Sequence, residues 1–581
     1  MPIPNPLFLT GQNLAFDESS ETVPAQLTEH ARTMEQRVYQ VARDFYVAVG
    51  YGNANMTMVV GMDGVILIDS MENAEAAREA LADLRKFSDK PVKALIYTHS
   101  HPDHSSGSRG LLDPSDVEQG QIEIYAHERL LAGMRGNPGL GIMGPLRLAY
   151  TFGWDLERGA DGLVEVGLGP LLRVGTTGFM PPTTVFQGSL DIEVAGVRVH
   201  LREAPSESDD EIVLWFPDHG VLHSADVIQG ECLANLYALR GAVRDIWQWI
   251  DAIDMLRGFD AQALVFGHGR PLTGQDEIRE LLTAYRDSMQ YIHDQTYRLM
   301  ARGLTPDELV GEISELPPRL RDHPWLGEFY GTVEQTVRQI YSMAFGWFEG
   351  DPTFIDPLPR RERSARYVAA MGGRDAVLDT AERAYANEDF RWTAEVLTHV
   401  LRADPDDQEA CRLKADVLRQ LGYRTLNPIW RNNYLMAAKE IDGTMDDDRI
   451  RDSLRRLANP DVAATVPIPM LLRVLATRLD PARSDGIQLQ VAFHAADTGT
   501  SYGLGIRSIV VDVFDGAPTD PAIHIQASEP TLRGLLSGRI IWQQSVDDGA
   551  VTLTTGTAEE AAHFWSLFDP LMGDLPAIAL R

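Results

Sequence analysis

Four side chains able to bind a metal ion stand within six residues of one another, and they stand where a mostly apolar run stops. Val92–Tyr97 leads directly into Thr98-His99-Ser100-His101-Pro102-Asp103-His104. The run reads as a buried strand, which places the cluster on the loop leaving it. Imidazole and carboxylate are the donors that zinc and similar ions take when thiolate is absent. Four neighbouring ligands on one ion would crowd each other. On such a loop His99 and His101 can point together at one ion, while Asp103 and His104 turn toward a second. The motif therefore predicts a two-metal site at the end of a strand.

Thiolate is indeed nearly absent. The chain holds only Cys232 and Cys411 among 581 residues, too few for a disulfide framework or a cysteine-based zinc or iron–sulfur site. Lys and Arg number 52 against 84 Asp and Glu, a formal charge of −32. Nucleic acid and anionic membranes would be repelled, so neither is an expected partner. Hydrophobic residues make up 44%, which excludes disorder of the whole chain. No apolar run reaches the roughly 18 residues of a membrane span. The start, Met1-Pro-Ile-Pro-Asn-Pro, lacks a basic stretch followed by an apolar one, so no signal peptide and a cytoplasmic location are expected.

The length suggests several domains. From Asn55 to about 275, strands and helices alternate. Met56–Gly61 and Val65–Asp69 flank a turn, Glu72–Phe87 has helical spacing, and strand pairs follow near Leu190–His200 and Ile212–Leu222, then Leu264–Phe266. This predicts a layered α/β domain. Long helical stretches dominate from about 276 to 440. One of them, Ala381–Tyr423, is a helix pair around Asp404-Pro405-Asp406-Asp407, similar to a single tetratricopeptide-like unit. The polar stretch Asp442–Asp452 reads as a linker. Strands return in Ile487–Phe493, Ile506–Phe514 and Val551–Thr555, with helices at Leu532–Leu536 and Glu559–Phe568, giving a third, α+β domain. The expected divisions are 1–275, 276–455 and 456–581.

The His99-x-His101-x-Asp103-His104 segment resembles the metallo-β-lactamase-fold hydrolases, and the resemblance implies an αββα catalytic domain with further ligands downstream. Glu207 takes the place of the first-site ligand, which is His in most members and Glu in some. Glu203 and Glu211 compete with it, and the 19-residue spacing to Asp226 favours Glu207. Asp226 takes the place of the aspartate bridging both metals; Asp218 falls in a turn instead. His268, in Gly267-His268-Gly269, takes the place of the last histidine. The implied metal ligands are His99, His101, Asp103, His104, Glu207, Asp226 and His268. A chance cluster of surface histidines is the competing account, and three downstream matches in order speak against it. His127, His219 and His223 read as packing or surface residues, and Cys232 as a small buried side chain.

A narrower resemblance follows. Asn235-Leu-Tyr-Ala-Leu-Arg240-Gly-Ala is similar to a segment of the zinc-dependent alkylsulfatases, and Tyr330-Gly331, Gly346-Trp347-Phe348 and Gly350-Asp351-Pro352 resemble the start of their helical dimerisation domain. The resemblance implies two zinc ions, a homodimer, a third domain like sterol-carrier proteins, and a small anionic amphiphile as substrate. It implies hydrolysis of alkyl sulfate esters by metal-bound hydroxide, with Asp103, Asn235 and Arg240 as catalytic residues and Asn235, Arg240 and Gln335 on the sulfate. Three carboxylates would also accept iron or manganese. Two divalent ions, about +4, meet −3 from Asp103, Glu207 and Asp226 and −1 from a hydroxide, so Arg240 turns a near-neutral site positive toward an anion.

The chain departs from the family in carrying Gln335 where its members have a His and Asp226 where alkylsulfatases usually have Glu, and the expected lack of a secretion signal departs from some members that act outside the cytoplasm. Gln can donate a hydrogen bond but cannot protonate a leaving group. Attack at the ester carbon expels sulfate, which needs no acid, so Gln335 predicts C–O cleavage. Two other readings stay open: an ester or phosphodiester hydrolase on the same fold, and a lipid-binding protein with a structural metal.

Overall fold

The computed structural model describes residues 1–9, 20–236, 239, 241, 243–571 and 573–579. The described chain forms two compact units, one of residues 1–134, 147–459 and 577–581, the other of residues 135–146 and 460–576.

Two facing sheets build the N-terminal part of the first unit. The first has eight strands in chain order from Pro6–Leu9 to Thr184–Phe186. Pairing is antiparallel as far as Val65–Ile68 and parallel from there through Val92–Ile96 and Glu123–His127. The change follows from connection length, since a parallel neighbour needs a crossover. Helix Ala74–Leu84 supplies the first one, and Asn73 caps it by accepting from the Ala76 amide. The second sheet runs Leu272–Thr273, Ala263–Val265, Val221–His223, Ile212–Phe216, Val197–Glu203 and Ser189–Val194.

Phe45, Val47, Ile66, Ile68, Ala94 and Ile96 pack against Val199, Leu201, Leu214, Val221 and Val265 between the sheets. The strands Phe45–Val49 and Val65–Ile68 are buried at every position. They are covered on both faces, which explains their unbroken apolar runs. Helix Ala74–Leu84 covers the first sheet. Helices Ile246–Leu256 and Gln275–Met300 cover the second through Ile250, Ile253, Leu281 and Tyr285 against Val213, Leu222 and Leu264. The layers are therefore αββα, as expected.

Helices continue to residue 457. The expected pair forms as Phe390–Ala403 and Gln408–Arg424, the second capped by Asp407 accepting from the Ala410 amide, with Val396, Leu397, Leu401, Ala410, Ala415 and Leu418 in its core. The polar stretch read as a linker is largely helix: Asp447–Leu457 is capped by Asp446 and buries Ile450 and Leu454. Three successive aspartates suit a helix N-terminus, where the backbone dipole favours negative charge.

The second unit holds a five-stranded sheet with Gln488–Ala495 at its centre, between Thr500–Arg507 and Ile523–Ala527. Helices Ile468–Ala476, Glu529–Leu536 and Ala558–Ser566 pack with it around Phe493, Leu504, Ile525, Leu532 and Phe564. The segment read as one strand, Ile506–Phe514, is instead a hairpin of Thr500–Arg507 and Val510–Phe514. Its turn uses Ser508 at φ 56, without the Gly or Asn that marks such turns. Among the described residues no helix is long and apolar enough to cross a membrane.

Candidate metal centre

The cluster lies at the carboxyl ends of strands from both sheets. Val92–Ile96 delivers Thr98 and His99; Pro102 then opens the short helix Pro102–Ser105, which turns Asp103 and His104 inward. Val221–His223 delivers Asp226, and its parallel neighbour Ala263–Val265 delivers His268. Asn55 steadies that last loop, donating to the carbonyls of Phe266 and Gly269 at 3.1 and 2.7 Å. Two non-glycine residues here are left-handed, Asp69 at φ 60 and Ala225 at φ 48. Such strain concentrates at functional sites. Gly267 is required by space: a β-carbon there would lie 2.0 Å from Asp226 Oδ1.

Two sets of donor atoms converge, His99, His101 and Asp226 in one and Asp103, His104 and His268 in the other, each within 4.8 Å of one another. His99 Nε2 lies 3.0 Å from His101 Nδ1, and His104 Nε2 lies 3.2 Å from His268 Nε2. Asp226 Oδ2 stands between the sets, 3.0 Å from His268 Nε2, 3.5 Å from His104 Nε2 and 3.8 Å from His99 Nε2.

The outer ring nitrogens decide what the inner ones are. His268 Nδ1 meets the Asn53 carbonyl at 2.8 Å and must donate to it. His104 Nδ1 donates to Asp69 Oδ2 at 2.7 Å. The Thr98 hydroxyl gives its single proton to Asp69 at 2.9 Å, so at 3.1 Å it accepts from His99 Nδ1. In the neutral rings all three Nε2 atoms therefore turn lone pairs inward. Two facing lone pairs 3.2 Å apart repel unless a cation lies between them. Asp226 Oδ1 is also buried without a hydrogen-bond partner among the described residues. Partners of this kind on the outer nitrogen are what metal-binding histidines carry, and the donor set fits two divalent cations.

The electrostatics make the same demand. Burial and the neighbouring His104 and His101 hold His99 well below the usual imidazole range. Burial also opposes charge on His104, yet Asp226, Asp69 and Asp103 push it well above that range. Asp226 is buried too, and His268 with His104 holds it well below the carboxylate range. The carboxylates thus call for positive charge at the inner nitrogens, which a proton or a metal can supply.

The remaining expected residues differ in what they touch. Glu207 Oε1 lies 3.9 Å from His101 Nδ1. That oxygen also accepts from Arg244, while Oε2 accepts from Gln229 at 2.6 Å. Glu211 holds the loop instead: one oxygen accepts from the Asp226 amide at 2.6 Å and the other from the Ser206 hydroxyl at 2.9 Å. Glu203 accepts from the Gly188 amide. Asn235 is buried, and its carboxamide oxygen has no partner among the described residues. Gln335 is buried in the first turn of helix Val333–Phe345, where its backbone amide donates to the Thr332 hydroxyl. The adjoining Gly331 amide donates to the Leu233 carbonyl at 3.0 Å, which brings the Gln335 and Asn235 segments together. Arg240 lies outside the described residues.

His127, His219 and His223 stand apart from both donor sets; His223 accepts from the Ala225 amide, and burial pulls it down to about 4. Cys232 is buried, and its thiol, pushed up by burial, donates to the Gly167 carbonyl. Sequence reasoning missed Asn53, Asp69, Gln229 and Arg244. Asn53 donates to Asp103 Oδ2 at 2.6 Å. Only Arg244 left a trace, a second arginine four residues after Arg240.

Three comparisons bear on this arrangement. The chain matches the metallo-β-lactamase superfamily over residues 49–268, the alkyl sulfatase dimerisation family over 305–444 and the alkyl sulfatase C-terminal family over 456–574. It is 39% identical to a linear primary-alkylsulfatase of Pseudomonas sp. over 516 residues, 86% of this chain and 97% of that protein. It is 30% identical to an (R)-specific secondary-alkylsulfatase of Pseudomonas sp. over 572 residues, 96% of this chain and 85% of the other. The solved structure of the stereoselective inverting sec-alkylsulfatase Pisa1 from Pseudomonas sp. superposes with a TM-score of 0.86 at 29% identity, covering 95% of this chain and 88% of that one.

Proposed function

This chain belongs to the alkylsulfatase family of metallo-β-lactamase-fold hydrolases, and from that premise we propose that it hydrolyses alkyl sulfate esters to an alcohol and inorganic sulfate. The observation that carries the reading is the pair of facing donor sets, His99, His101 and Asp226 beside Asp103, His104 and His268. Glu207 completes the first set and Asp226 serves both. Two divalent ions held there, with zinc the family's choice, would acidify a water and draw the anionic ester in.

The chain's own residues do the rest. Asp69, Thr98 and Asn53 fix which ring nitrogens point inward, so the donors are aimed before any ion arrives. Asn235 is buried, and in this reading its carboxamide nitrogen donates to a sulfate oxygen. Arg240 supplies charge, and Gln335 a hydrogen bond but no proton. Expelled sulfate is a weak base, so attack at the ester carbon suits Gln335. The structurally similar sec-alkylsulfatase is described as inverting, and inversion requires attack at carbon. The reading assigns 1–275 to catalysis, 276–455 to a homodimer contact and 456–581 to a third domain like sterol-carrier proteins. The family matches at 49–268, 305–444 and 456–574 support that division.

The test measures metal content and sulfate release from dodecyl and 2-octyl sulfate, then repeats hydrolysis in ¹⁸O-labelled water. Two ions per chain, sulfate release and label in the alcohol are expected. Label in the sulfate overturns C–O cleavage; two ions without sulfate release from any ester would move the reading to another ester or phosphodiester.

A further inference from the structure

Arg244 is buried, and its guanidinium bonds two residues. Nε donates to the Glu207 carbonyl at 3.1 Å, one terminal nitrogen donates to the Glu207 carboxylate, and the other to the Asn235 carbonyl. Gln229 closes the same circuit from the other side. Its amide nitrogen donates to Glu207 Oε2 at 2.6 Å and its amide oxygen accepts from the Asn235 backbone at 2.9 Å. Neither residue is itself free to move. The Arg244 guanidinium lies 5.9 Å over the buried Trp249 ring, whose indole donates to the Val227 carbonyl, and the Gln229 backbone donates to the buried Tyr285 hydroxyl. Glu207 and Asn235, 28 positions apart, are thus bridged twice by side chains that each hold both.

We propose that Arg244, with Gln229, is a positioning residue that locks the Glu207 ligand and the Asn235 sulfate contact into one unit, so that filling of the first metal position and capture of the sulfate group are coupled. The inference rests on reading Glu207 as a ligand and Asn235 as a sulfate contact. The forked guanidinium suits the task because three bonds in fixed directions set an angle as well as a distance. Its charge also offsets that of Glu207, which leaves the site less negative toward an anionic ester. Removing it would leave a buried carboxylate uncompensated.

Arg244→Gln, Arg244→Lys and Gln229→Met test this, with metal affinities from chelator competition, binding of inorganic sulfate by calorimetry, kcat and KM on dodecyl sulfate, and near-ultraviolet dichroism for the fold. Arg244→Gln should weaken one of the two ions about 10–100-fold, the range for lost partners of metal ligands, and keep the other. It should raise the sulfate Kd and KM together. Arg244→Lys, with charge but no fork, should recover only part of either. A folded Arg244→Gln with wild-type affinity for both ions, or one that loses an ion while binding sulfate normally, overturns the proposal. If Arg244→Gln does not fold, Gln229→Met must show the same paired loss, and its absence overturns the proposal equally. Glu207→Gln separates the premise from the inference: if both ions stay, Glu207 is not a ligand and the underlying reading fails whatever Arg244 does.

Discussion

Replacing Gly267 by alanine adds one methyl group at the narrowest point of the centre. The new β-carbon would lie 2.0 Å from Asp226 Oδ1 and 3.0 Å from His104 Cε1. Contacts of this kind are not made below 3.0 Å, so the carboxylate must retreat by at least about 1 Å; a misplacement of about 1 Å can cost 10²-fold in rate. Retreat also pulls Oδ2 from its position 3.0 Å from His268 Nε2 and 3.5 Å from His104 Nε2. Both donor sets therefore loosen at once. Gly267→Ala should lower kcat/KM on dodecyl sulfate by about 10²-fold or more and reduce bound metal below two ions after dialysis. Overpacking should cost about 1–3 kcal/mol of stability, read from a denaturant midpoint. Gly311→Ala is the control, since among the described residues nothing beyond its own helix and chain neighbours lies within 4 Å of its added methyl in helix Pro306–Glu312. That variant should keep full activity. A Gly267→Ala protein with two tightly held ions and kcat within twofold of wild type would refute the account of how Asp226 is placed.

Two further perturbations follow from buried carboxylates. Asp69→Asn takes the charge from the partner of His104 Nδ1 and Thr98, and should weaken metal binding about 10–100-fold while the fold persists; unchanged metal affinity would mean the ring is oriented without it. Glu72 is fully buried, and burial pushes its carboxyl up to about 7 from an ordinary 4.5. The folded state then binds the proton more tightly than the unfolded one, so its stabilising effect is complete below about pH 4.5 and is lost as pH rises through about 7. Glu72→Gln should remove that decline, gaining roughly 2–3 kcal/mol on wild type between pH 5 and 8.5 in urea midpoints. Parallel pH profiles would refute it.

Several features of the fold were readable because they depend on neighbours in the chain. The strand Val92–Ile96 is apolar except for Lys93, and the pair Phe390–Ala403 and Gln408–Arg424 has helical spacing broken at Pro405. Errors arose where local chemistry has two uses. Asp446-Asp447-Asp448 looks like a solvated linker and is also a good helix start. Ser508 carries no turn signature, yet pairing of Thr500–Arg507 with Val510–Phe514 forces it left-handed. Pairing energy from two whole strands outweighs the preference of one residue.

For the centre the division is sharper. His99, His101, Asp103 and His104 were visible because adjacency concentrates donors on one loop, and that was enough to predict two ions. The sequence by itself thus determined the kind of chemistry. Which nitrogen of the His99, His104 and His268 rings faces inward was settled by Thr98, Asp69 and the Asn53 carbonyl, the last of them 215 positions from His268. Likewise Arg244 reads as one charged residue among many until folding puts it against Glu207, 37 positions away. Donor type is a property of a side chain and can be read from its letter. Donor direction belongs to a hydrogen-bonded network inside a buried site, and only the tertiary structure brings its members within hydrogen-bond reach of one another.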